Sequence, residues 1–76
     1  MPTILRQDGF EFRIRLNDHD PPHVHVFLRD GEAKIEISKA EVMQVWNMRS
    51  GDVHRAELIV KANKKHFIDA WRSIHG

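Results

Sequence analysis

From Phe10 onward, apolar side chains fall on every second residue. Phe10, Phe12, Ile14 and Leu16 alternate with Glu11, Arg13, Arg15 and Asn17; Val24, Val26 and Leu28 follow, and then Ala33, Ile35 and Ile37. A period of two places these side chains on one side of an extended chain. The stretch can therefore bury its apolar atoms only as a sheet with one covered face. Two turn-forming segments interrupt it. Asn17 to Pro22 is a stiff loop, because neither proline has a backbone donor and Pro22 biases Pro21 toward an extended conformation. Asp30-Gly31 is a strong signal for a two-residue hairpin. Shorter strands are expected at Thr3-Ile4-Leu5, ahead of a Gln7-Asp8-Gly9 turn, and over Val42 to Asn47.

Past Asp52 the period becomes helical. Val53, Ala56, Ile59, Val60, Asn63, Phe67, Ala70, Trp71 and Ile74 share one stripe, with Ser50 as the expected N-cap. The stripe crosses Asn63, so it is one long helix or two with a kink there. A single rod would reach ~35 Å and overhang a small sheet. That would leave Phe67, Trp71 and Ile74 as a dimer contact or partner surface. The expected fold is α+β: an antiparallel sheet of four to five strands, with a C-terminal helix or kinked helix pair packed on one face.

Length and composition narrow the function classes. The chain has 76 residues, which predicts one domain, 1–76, with a thin stability margin that a partner subunit would help. It has no cysteine, so neither a disulfide framework nor a thiolate zinc site is available. A net charge of +1 with neutral histidines does not point to nucleic acid, although protonating six histidines would raise it to about +7. No apolar run reaches the ~20 residues that span a bilayer. The start Met1-Pro2-Thr3-Ile4-Leu5-Arg6 lacks a signal-peptide core, so a cytoplasmic location is expected.

If Asp30 and Gly31 form the hairpin loop, the pairing follows. Arg29 faces Glu32, Leu28 faces Ala33, Phe27 faces Lys34, Val26 faces Ile35, His25 faces Glu36 and Val24 faces Ile37. Each inward pair is then apolar on both sides, and His25 lies ~5 Å from Glu36 on the polar face.

The segment Asn17-Asp18-His19-Asp20-Pro21-Pro22-His23-Val24-His25-Val26 resembles the signature of a bacterial domain-of-unknown-function family, number 4160. The likeness extends to Met1–Arg6, to Gly9–Arg15, and to Arg55-Ala56, Val60, Asn63, Phe67–Trp71 and Ile74-His75-Gly76. It is weakest from Ile37 to Met48. The family has no settled activity. Its members are small proteins of bacteria and phages, often paired with a second small family. The resemblance therefore implies an interaction component of a toxin–antitoxin-like two-gene module, with a small protein partner or a homodimer.

The polar sheet face holds the candidate site. His23 and His25 point the same way, and His19 comes from the adjoining loop. One use is a divalent metal such as zinc held by His19, His23 and His25, with Glu36 beside them. Another is phosphate chemistry. There His23, His25 and Glu36 would be the catalytic set, while Arg13, Arg15, Asp18 and His19 bind the substrate, as in a small hydrolase or ribonuclease-like enzyme. A third reading needs no chemistry, because an antiparallel sheet has a solvated side. On this view Asp18 caps the loop and His19 stacks on a proline. His54, His66 and His75, and the patch Lys61, Lys64 and Lys65, are expected on solvated helix surface. Trp46 and Trp71 are expected in the core or an interface.

Overall fold

The computed structural model describes residues 3–75. Five strands, β1 (Thr3–Gln7), β2 (Phe10–Arg13), β3 (His23–Leu28), β4 (Gly31–Glu36) and β5 (Val42–Trp46), form one antiparallel sheet in the order β1-β2-β3-β4-β5. Two helices follow, α1 (Ser50–Ala62) and α2 (Lys64–His75). The fold is α+β, and the helices pack against the apolar face of the sheet. Phe10, Phe12, Ile14, Val24, Val26, Ala33, Ile35 and Ile37 meet Ala56, Ile59, Val60, Phe67 and Trp71 in one buried cluster. Phe12 lies at 5.4 Å from Phe67, ring centroid to centroid. Truncating a fully buried aromatic of this kind costs about 3–5 kcal/mol.

The helix breaks at Asn63, which leaves helical geometry at φ −116°. Its side-chain amide donates to the carbonyl of Ile59 at 2.8 Å, and its backbone N–H shares the carbonyls of Ile59 and Val60. The asparagine thus satisfies the end of α1 and lets α2 turn back over the sheet. Of the two expected forms, one rod or two helices kinked at Asn63, the kinked pair is present and no overhang results: Phe67 and Trp71 are core residues, because the break brings their stripe onto β2 and β3. The N-cap of α1 is Arg49 and not Ser50, with no side-chain cap bond.

Two strand expectations are corrected. Alternation suggested a strand from Phe10 to Leu16, but β2 ends at Arg13 and Leu16 is 74% exposed. Backbone groups that would have continued the ladder are used in a turn. Arg15 N–H donates to Asp18 Oδ2 at 2.9 Å, and Asp18 N–H donates to the Arg15 carbonyl at 3.2 Å.

The β3–β4 hairpin is displaced by one residue at its loop. Arg29 and Asp30 form the turn, Arg29 at φ 52°, and Leu28 pairs with Gly31. Gly31 is a strand residue whose missing side chain has a separate cause: a Cβ there would sit 2.4 Å from the carbonyl oxygen of Asn47. The pairing moves by two positions, so every side chain keeps its face but changes its neighbour. His25 lies across from Lys34, and Glu36 lies across from His23.

Candidate metal centre

The loop between β2 and β3 folds its acidic residue onto the start of β3. Asp18 is anchored by the Arg15 amide. The peptide bond before Pro21 is cis, and the Pro22 carbonyl accepts the N–H of Ile37 at 3.0 Å, which ties the loop's end to the sheet. The Asp18 carboxylate then approaches Nε2 of His23 at 3.4 Å and Nε2 of His25 at 3.1 Å.

Each imidazole is held from its other nitrogen. His23 Nδ1 is 2.8 Å from the Pro21 carbonyl oxygen, which can only accept, so Nδ1 donates and Nε2 carries the lone pair. His25 lies between two carboxylates: Nδ1 is 3.4 Å from Glu32 Oε2 and Nε2 is 3.1 Å from Asp18 Oδ2, so a ring proton on either nitrogen meets an acceptor. Backbone carbonyls and carboxylates on the far nitrogen are the usual partners of metal-bound histidines. A bare His23 Nε2 facing the Asp18 carboxylate repels it unless a cation, proton or metal, lies between them. His23 Nε2 is buried and makes no hydrogen bond among the described residues. One ligand atom from each of Asp18, His23 and His25 lies within 4.8 Å of the others.

The cluster is not on an open face. His23 is 3% and His25 5% exposed. Trp71 from α2 packs its ring 5.4 Å from that of His23, and His75 stacks on Trp71 at 3.9 Å. The expectation of an open, wet sheet face is therefore corrected at the histidines, because the loop and the end of α2 close over them. Access is through a shallow pocket of about 210 Å³ lined by Asn17, Asp18, His19, Asp20, Pro21, His23, Lys34 and Met43.

Burial alone would raise the Asp18 carboxyl. The Arg15 amide, the His25 hydrogen bond and, when those rings are protonated, the charges of His25 and His23 outweigh it and hold the group below the ordinary carboxylate range. Asp18 is thus ionised at neutral pH.

The family model of DUF4160, a domain of unknown function, matches residues 9–72. The chain belongs to that family. No curated protein and no solved structure matches it.

Within this DUF4160 chain the expected site residues separate into groups. His23, His25 and Asp18 come together. His19 is exposed on the pocket rim, outside the three-residue cluster. Glu36 pairs across from His23, and the carboxylate on His25 is Glu32. Arg13 is bound to Glu11 at 2.7 Å and covers the Phe27 ring at 4.9 Å, while Arg15 lies 3.7 Å from Glu32. The two guanidiniums are thus committed to ion pairs on the sheet.

Sequence reasoning placed Asp18 among binding residues and did not foresee that its carboxylate joins the two histidines. It also missed His75, expected on solvated surface. His75 Nδ1 contacts the Trp71 carbonyl at 3.0 Å and Nε2 the Arg15 carbonyl at 3.1 Å. A contact across 60 residues leaves no local pattern. No helix among the described residues is long and apolar enough to cross a membrane.

Proposed function

We propose that this chain binds a divalent transition-metal ion through Asp18, His23 and His25. One observation carries the reading: the bare Nε2 of His23, the Nε2 of His25 and the Asp18 carboxylate lie within 4.8 Å of one another, with an acceptor beside each ring's Nδ1. Two imidazoles and a carboxylate suit zinc, nickel, cobalt or ferrous iron better than calcium or magnesium, which prefer oxygen. Three protein ligands beside a pocket leave a coordination position for water or substrate, the arrangement of catalytic rather than structural zinc. A metal-dependent hydrolase follows from this more directly than a metal-free ribonuclease, because Arg13 and Arg15 are paired with Glu11 and Glu32.

Calorimetric titration with zinc tests the reading. Wild type should take up one equivalent. Asp18→Asn and His25→Ala should lose it, with folding checked by near-ultraviolet circular dichroism. Absence of heat in folded wild type would remove the metal.

A second reading rests on β5. It lies at the sheet edge, has no charged residue from Val42 to Trp46, and exposes Met43, Val45 and Trp46 at 39, 42 and 47%. Uncharged edge strands accept another strand. This is the surface through which the chain would serve as an interaction component of a toxin–antitoxin-like module, or pair with a second copy. Sedimentation tests self-pairing. A dimer that Val45→Lys splits is expected, and a wild-type monomer excludes it.

A further inference from the structure

Lys34 lies directly across the β3–β4 ladder from His25, where facing Cβ atoms are ~5 Å apart. It lines the same pocket as Asp18 and His23. Arg6 and Arg13 bind Glu11, and Arg15 lies near Glu32. Lys34, half-buried, has no ion pair or hydrogen bond among the described residues. Its side chain lines the pocket that opens onto Asp18 and His23, so its unpaired ammonium is available to whatever fills the open coordination position.

From this we infer that the bound metal and Lys34 together hold a phosphate group. The inference rests on the metal reading above. Charge decides the class of ligand. Among the groups that would touch the ligand, a divalent ion neutralised once by Asp18 leaves one positive charge and Lys34 adds a second, matching a phosphate dianion. Asp20 on the rim and Glu36 across from His23 are carboxylates on the same side. They disfavour a polyanion such as RNA, whose neighbouring phosphates would meet them. Size agrees, because a pocket of about 210 Å³ is below the ~300–1,000 Å³ of sites for larger ligands. The ligand is a single phosphate or a small phosphomonoester, with one oxygen on the metal and another accepting from Nζ of Lys34.

The test uses the full chain loaded with one equivalent of cobalt(II), whose visible spectrum reports its ligands, and inorganic phosphate as the probe. Wild type and Lys34→Gln should give the same cobalt spectrum. Phosphate should change it in wild type, with affinity at least about tenfold weaker in Lys34→Gln, the size of a charge-assisted hydrogen bond. Lys34→Arg should restore most of that loss. A spectrum that phosphate leaves unchanged, equal phosphate affinity in Lys34→Gln, or equally tight binding of acetate would each overturn the phosphate assignment while the metal site stands. Failure of cobalt to bind folded wild type would take down both.

Discussion

The hydrogen on Nδ1 of His23 goes to the Pro21 carbonyl, and that bond decides which nitrogen faces Asp18. An imidazole free to choose would donate Nε2–H to the carboxylate and end the matter as a simple hydrogen bond. The neutral ring should therefore be the Nδ1–H tautomer, visible in long-range nitrogen–proton NMR correlation. Finding the proton on Nε2 would remove the lone pair on which metal binding depends. Gly31 is a residue-scale case of a different kind. A methyl group there would press on the Asn47 carbonyl, which is backbone and cannot swing away. Gly31→Ala should lower stability by about 1–3 kcal/mol, the usual cost of overpacking, as measured by urea unfolding. A loss under 0.5 kcal/mol, roughly the range of surface changes, would mean that the β5–α1 connection yields easily.

At the scale of elements, β1 and β2 are joined by one carboxylate. Glu11 accepts from Thr3 at 3.0 Å, Arg6 at 3.2 Å and Arg13 at 2.7 Å. The Arg13 bond contributes most to holding its carboxyl below the ordinary value, with Thr3 next, against a smaller opposing effect of burial. A lowered pKa in the folded state means stability that is present above the unfolded pKa and lost as pH falls through the folded one. Glu11→Gln should therefore be less stable than wild type at neutral pH, and the gap should close as the pH drops below the ordinary carboxylate range. Urea unfolding at several pH values measures this, and a gap independent of pH would show that the ionised form does not matter.

The elements were largely legible because their periods are local. The alternation around Phe12 and Val26, the helical stripe and the break at Asn63 each depend on neighbours within a few residues. The ends were less so. β2 stops where Asp18 captures the Arg15 amide, and the hairpin register turned on a glycine that serves the packing of Asn47. Both causes lie in contacts that alternation cannot express. The candidate site was legible in the same measure. The two histidines share a face by strand geometry. Which carboxylates reach them depended on the loop's path and on the register.

For the whole molecule, the consequence is that the cluster sits where loop, sheet and α2 meet. Asp18 belongs to the loop and His25 to the sheet, while Trp71 and His75 bring α2 against His23 and the Arg15 carbonyl. A cation bound here bridges elements that are remote in sequence, so it should stabilise the fold as a unit. At a free concentration of a hundred times Kd, ligand binding contributes about 2.7 kcal/mol. For a chain of this length that is a rise in melting temperature of roughly 10–20 °C, reversed by EDTA. Replacing exposed Trp46 by Phe leaves Trp71 as the sole indole, 5.4 Å from the His23 ring. Open-shell nickel at the site should then quench its emission with the same midpoint as the thermal shift. Stabilisation without quenching would place the ion elsewhere on the molecule, since no ion held by His23 could escape the notice of the ring packed against it.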